Sequence, residues 1–330
     1  MTKPIASLSL DLDNQWSYMK THGDAGWEKF PTYLDLVVPR CNDLFARHGF
    51  VITYFIVGQD AVLPENKAAL ASITAAGHEV GNHSFHHEPW LHLYSDAEIE
   101  AEIARAEDAI AGATGQRPQG FRGPGFSVST AVLNTLKRRG YHYDASTFPT
   151  FLGPLARAYY FFTSKLSAEE KAKRKQLFGN LREGLRPLKP YSWKLESGDL
   201  AEIPVTTMPI FRIPFHLSYV IYLACYSPVV ARLYFKMSLL MCRLFGVQPS
   251  LLLHPLDFIG GDDIEAVKFF PGMSMTAAQK LALVDRLFAE FARQFRVVKM
   301  SEHAALVKQQ NLRRREPDFR AELLPNKVQG

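Results

Sequence analysis

At 330 residues with a formal net charge of +5, the chain has room for one large α/β domain or two smaller ones with a substantial core. Its 22% charged residues are neither scarce nor blocky, which excludes a disordered chain apart from the polar tail "RRREPDFRAELLPNKVQG". Three widely spaced cysteines, Cys41, Cys225 and Cys242, exclude a disulfide framework and read as buried thiols in a reducing compartment.

The elements follow in chain order. "IASLSLDLD" reads as a strand, "EKFPTYLDLVVPRCNDLFARHG" as a helix ending at Gly49, and "FVITYFIVG" as a buried strand. "NKAALASITAAG" is helical, "HEVGNHS" extended, and "DAEIEAEIARAEDAIAGATG" a long helix. "GFRGPGF" reads as a strand and loop, "TAVLNTLKRRG" as a helix, and "YHYDAS" as a strand. Later strands are expected at "LAEIPV", "SLLLHPLD" and "FRVVKM", with the helix "TAAQKLALVDRLFAEFARQF" before the last. Repeated βα units of this kind predict a parallel sheet covered by helices, open or closed into a barrel.

Two segments interrupt the rhythm and read as insertions in a single domain spanning 1–330. The first, about 151–190, is aromatic and then basic: "KLSAEEKAKRKQLFGNLREGLRPLK" carries eight Lys or Arg against three Glu. The second, about 208–246, is strongly apolar, and 213–231 has no formal charge. Pro214, Pro228 and scattered polar residues speak against a membrane span there. Within "ARLYFKMSLLMCRLFG", Arg232, Lys236 and Arg243 fall within about 40° on one helix face, at about 100° per residue. Such a stripe fits a helix lying in the interface of an anionic bilayer. It equally fits a core helix whose bases snorkel to solvent.

The N-terminus lacks the apolar run and cleavage site of a secretory signal, so a cytoplasmic location is expected, with peripheral contact at the inner membrane face allowed. The basic charge suits anionic partners in general, but no zinc-finger, RNP-type or helix-turn-helix pattern points to nucleic acid. Oligomeric state is not legible.

A βα barrel places reactive groups at the carboxyl ends of its strands. Those ends carry Asp11 and Asp13, then His83 and His87, Arg122, Asp144, and lastly His254. The cluster His83, His86 and His87 raises the question whether two of the three hold an ion or whether all are solvated loop residues.

Five ordered segments, "SLDLDN", "NHSFHH", "FRGPGF", "YDAS" and "LLLHP", resemble the motifs of the polysaccharide deacetylases, the NodB-homology family of metal-dependent carbohydrate esterases. The resemblance covers residues 5–148, resumes around "EIPV" and "LLLHP", and leaves the two insertions uncovered. It implies a distorted (β/α) barrel in which Asp13, His83 and His87, but not His86, ligate a divalent metal, most simply zinc, with cobalt, manganese or nickel as alternatives. It implies Asp11 as general base, Arg122 as its ionic partner, and His254 as general acid oriented by Asp144. The chain departs from the commonest family pattern in placing Leu12 between its two aspartates, which leaves the division of base and ligand between Asp11 and Asp13 open.

The implied activity is hydrolysis of an N-acyl, foremost N-acetyl, group on an amino sugar. A glycan precursor carried on polyprenyl phosphate at the inner membrane face suits the basic and apolar insertions. Two rivals stand beside it: a deformylase or other amidase of the same fold, and a non-catalytic glycan- or membrane-binding barrel.

Overall fold

The computed structural model describes residues 3–155, 158, 165 and 181–319. Among these, ten strands form one sheet: β1 (Ile5–Asp11), β2 (Thr53–Ile56), β3 (Glu79–Asn82), β4 (Gly120–Phe121), β5 (Tyr143–Asp144), β6 (Tyr191–Leu195), β7 (Gly198–Glu202), β8 (Ser250–Leu253), β9 (Arg296–Val298) and β10 (Arg314–Arg315). Their spatial order is β10-β6-β7-β5-β4-β3-β2-β1-β8, with β9 beside β1. Every pairing is parallel except the β6–β7 hairpin.

The wall curls back on itself through the irregular run after β7. The Ile203 N–H donates to the Asp144 carbonyl and that of Val205 to Thr147, and then the Thr206 N–H reaches the Ser250 carbonyl at 3.0 Å on β8. The result is a distorted barrel, in agreement with the expected fold class.

Period-two alternation sorts the strand residues. On β1, Ala6, Leu8 and Leu10 face outward into the main apolar core, while Ser7, Ser9 and Asp11 stand on the opposite face. Phe55, Tyr143, Ala201 and Ile203 fill the interior with Met300 and Ala304. Room for those aromatics comes from two glycines. A Cβ on Gly81 would meet the Phe55 ring at 2.5 Å, and one on Gly120 the Tyr143 ring at 1.9 Å.

Helices cover the outside: α1 (Gln15–His22), α2 (Leu34–Arg47), α3 (Gly58–Ala61), α4 (Lys67–Ala75), α5 (Asp96–Thr114), α6 (Thr130–Arg138), α7 (Leu217–Ala224), α8 (Pro228–Leu244) and α9 (Ala277–Gln294). Capping boxes start α5 at Ser95 with Glu98 and α9 at Thr276 with Gln279, each satisfying backbone donors that the first helical turn leaves free. The last helix, α10 (Met300–Lys308), plugs the amino-terminal end of the barrel. The Met300 N–H donates to Thr53 Oγ1 and the His303 imidazole meets Ser7 Oγ at 2.9 Å.

Several expectations change at this level. The helix expected from Glu28 to Gly49 is split, because Phe30 adopts a left-handed φ of 50° and α2 starts only at Leu34. In the apolar segment 208–246, Leu217, Val220, Phe235, Leu239 and Cys242 belong to the same core as β1 and β2, so α7 and α8 pack onto the barrel's shell. Cys41 and Cys242 are buried as expected, but Cys225, at the end of α7, is exposed. Most of the basic segment at 151–190 lies outside the described residues. No helix among the described residues is long and apolar enough to cross a membrane.

Candidate active site

Asp13 stands two residues beyond β1, on a loop fixed from below. The Leu12 N–H still donates to the Phe55 carbonyl, while Asn14 caps α1 and donates from Nδ2 to the buried Asp60 at 2.7 Å. Trp16 Nε1 donates to the same Asp60 oxygen at 2.8 Å. Burial pushes the Asp60 carboxyl up to about 7, against the lowering effect of those two donors. Sequence reading passed over Asp60 because no motif contains it.

His83 directly follows β3, and the loop after it turns sharply: Ser84 and His87 take left-handed φ values of 61° and 56°. This conformation is uncommon for residues with a side chain and persists only where the surroundings enforce it. Here Glu102 of α5 accepts from the Phe85 and His86 N–H groups, and Ser84 Oγ accepts from the His87 N–H. Glu102 also holds His86 Nδ1 at 2.7 Å, which turns that ring away from its two neighbours. The middle histidine is thereby separated from the other two.

His83 Nδ1 lies 2.6 Å from the Arg122 carbonyl oxygen. A carbonyl only accepts, so Nδ1 carries the proton and Nε2 presents a lone pair. That Nε2 is 3.5 Å from Asp13 Oδ1, and His87 Nε2 is 2.9 Å from the same oxygen. One donor atom from each of the three residues lies within 4.8 Å of the others. Asp13 Oδ1 is buried, and apart from these two imidazole nitrogens it has no hydrogen-bond partner, an arrangement that a cation among the three atoms satisfies. Two imidazole nitrogens and one carboxylate oxygen are the donor set of a catalytic rather than a structural zinc-type site. Burial by itself would raise Asp13, but His87 and His83 together outweigh it and hold the carboxyl well below the usual range.

Asp11, inside the barrel, accepts from Arg122 Nη1 at 2.6 Å through Oδ1. Arg122 is wholly buried: Nε donates to the Ala145 carbonyl, Nη1 also reaches Ser9 Oγ, and the guanidinium lies 4.5 Å over the Phe55 ring. The expected Asp11–Arg122 pair is therefore present.

His254 follows β8 and is partly accessible, but its expected partner is elsewhere. Asp144 is the neighbour of inward-facing Tyr143 on β5, so alternation points it out of the barrel. There it accepts from Ser146 Oγ at 2.6 Å, and burial together with the adjacent Glu202 raises its carboxyl well above the carboxylate range. Ser146 Oγ in turn accepts from the Gly123 N–H, so Asp144 holds the loop after β4 and does not orient His254. His254 Nδ1 meets Ser218 Oγ of α7 at 3.2 Å instead. Ser218 also bonds to buried Asp257, whose Oδ2 accepts the His254 backbone N–H.

Two further groups come into view only in three dimensions. The Tyr18 hydroxyl is buried without a partner, its acidity suppressed first by burial and then by Asp13. His216 is buried with Nδ1 unpartnered, 5.8 Å between ring centroids from both His254 and Phe148, and burial holds it neutral. Phe148 stacks on Phe126 at 4.7 Å, so Phe126 is packed on one side.

The family model described as polysaccharide deacetylase matches residues 24–143. A peptidoglycan deacetylase of Helicobacter pylori is 28% identical over 109 residues, 33% of this chain and 36% of that protein. The peptidoglycan-N-acetylmuramic acid deacetylase PdaA of Bacillus subtilis is 29% identical over 104 residues, 31% and 38% of the respective chains. The chain is related to the polysaccharide deacetylases. The aligned stretches span little more than a third of those two relatives. At the level of fold the likeness extends further: a crystal structure from Mycobacterium smegmatis assigned to the polysaccharide deacetylases superposes with a TM-score of 0.59 at 19% identity, covering 96% of this chain and 98% of that one. Asp11, Asp13 and His254 lie outside the stretch matched by the family model, yet the barrel brings Asp11 and Asp13 to His83, His87 and Arg122.

Proposed function

We propose that the chain is a metal-dependent hydrolase that removes an N-acyl group, foremost N-acetyl, from an amino sugar. The observation that carries this reading is the convergence of Asp13, His83 and His87, with both imidazole Nε2 atoms turned to one buried carboxylate oxygen. Kinship with the polysaccharide deacetylases supplies the substrate class.

Asp13, His83 and His87 would hold a divalent ion, which would supply Lewis acidity toward an amide carbonyl and water. The protein's own groups do the rest. Asp11 Oδ1 is engaged by Arg122, which leaves Oδ2 to take the proton from the attacking water. His254 has Nδ1 turned to Ser218, so Nε2 is the atom that protonates the departing amine. Asp257, through Ser218 and the His254 backbone N–H, fixes that ring's orientation, the task that sequence reading assigned to Asp144.

The finer reading is a substrate carried on polyprenyl phosphate. Its support is the apolar, base-bearing α7–α8 hairpin, whose α7 contributes Ser218 beside His254. Acetate release from acetylated amino sugars, free and lipid-linked, tests both levels. Wild-type protein is expected to release acetate and His254→Ala to lose at least about a hundredfold in kcat. Release of formate but not acetate would reassign the acyl group, and no release from any acylated sugar by the metal-loaded protein would overturn the reading.

A further inference from the structure

Helices in the shell of a water-soluble barrel turn polar residues outward. Helix α8 does the opposite over most of its exposed surface. Ala231, Phe235, Ser238, Leu239 and Cys242 form its buried side. Taking Val229 as the origin and about 100° per residue, Leu240, Leu233, Leu244, Met237 and Val230 follow within about 100° of arc. All six are exposed, with Val229 at 64%, Leu233 at 61% and Leu244 at 70%. Arg232, Arg243 and Lys236 occupy the next 60° or so on the other side of Val229, and all three are exposed. The outward surface of α8 is thus an apolar strip with a basic rail along one edge. Tyr226, 74% exposed at the turn into α8, extends the strip.

We propose that this face of α8 is a docking surface for an anionic lipid bilayer. The charge pattern selects that occupant. Residues 208–247 contain no Asp or Glu, and among the described residues neither Arg232 nor Arg243 has an acidic partner. Lys236 has only a loose contact with Glu290 at 3.7 Å. Bases beside an apolar strip meet lipid phosphate at the level where the strip enters the acyl region. A second copy of the chain is the poorer occupant, because an antiparallel two-fold contact centred on the strip brings the two basic rails together, and a parallel one leaves both rails without an acidic partner. The inference stands apart from the hydrolase reading, since it concerns partition to a surface and not bond cleavage.

Co-sedimentation with vesicles tests it. Wild-type protein is expected to pellet with vesicles of equal parts phosphatidylglycerol and phosphatidylcholine, and far less with phosphatidylcholine alone. Arg232→Glu combined with Arg243→Glu should lower the partition at least about tenfold, since each base near such a surface contributes about 1 kcal/mol. Leu233→Gln combined with Met237→Gln, which keeps every charge, should lower it as well. All these positions are exposed, and unchanged thermal melting confirms that each variant folds. No pelleting of wild type, equal pelleting with neutral and anionic vesicles, or partition untouched by both variants would overturn the proposal. So would a wild-type dimer in analytical ultracentrifugation that Leu233→Gln with Met237→Gln splits without any vesicle binding.

Discussion

Arg122 is the residue on which most of the site leans. Its side chain fixes Asp11, its carbonyl fixes the His83 tautomer, and its guanidinium covers the Phe55 ring. Arg122→Met preserves the bulk and the carbonyl but leaves the Asp11 carboxylate buried without its partner. Loss of one member of a buried pair costs about 3 to 5 kcal/mol, so urea unfolding should show a destabilisation of that size. A change below about 1 kcal/mol would mean that Asp11 finds another donor. Asp60 offers a separate reading of burial. Its carboxyl sits at about 7 in the folded chain against 3.8 for an unperturbed side chain, with burial as the main cause. The folded state therefore holds this proton more tightly than the unfolded one, and stability from it is complete below 3.8 and lost as the pH rises through about 7. Asp60→Asn cannot ionise, so its melting temperature relative to wild type should rise between pH 4.5 and pH 7.5. A flat difference across that range would show that Asp60 titrates normally.

At the scale of elements, strand alternation explains both what sequence reading found and what it misplaced. Odd-numbered β1 positions carry Ser7, Ser9 and Asp11 inward, and the His83 and Arg122 positions share the inward registers of Gly81 and Gly120. Asp11, Asp13, His83, His87 and Arg122 were legible because each follows or ends a strand that feeds the same barrel mouth. Asp144 also ends a strand and looked equivalent, but its register parity puts it on the other face, and a two-residue strand gives no alternation to read. Ser218, His216 and Asp257 were illegible because they join His254 through α7 and a short turn that no local period connects. Strand β6 and the α10 plug went unread, and what places α10 is a contact between Met300 and Thr53, 247 residues apart in the chain. Gly120→Ala probes the parity directly. The added methyl would sit 1.9 Å from the Tyr143 ring, whose hydroxyl is tied to buried Glu79. Overpacking of this kind costs about 1 to 3 kcal/mol, and a fully neutral substitution by thermal melting would place Gly120 outside the interior.

Across the whole molecule, the shell and the mouth are built as one object. Outward residues of β1, β2 and β8 share a single core with α2, α7, α8 and α9, so the hairpin that exposes the apolar strip also carries Ser218 to His254. The loops after β1 and β3, separated by about seventy residues in sequence, meet only because β2 lies between their strands. The central claim is that this meeting creates a site for one divalent ion. Elemental analysis of protein purified without chelator and incubated with zinc tests it most directly. Wild type is expected to retain about one equivalent and folded Asp13→Ala or His87→Ala close to none, in line with a three-residue site. Wild-type protein that stays metal-free, or an Asp13→Ala variant that retains as much metal as wild type, would contradict it.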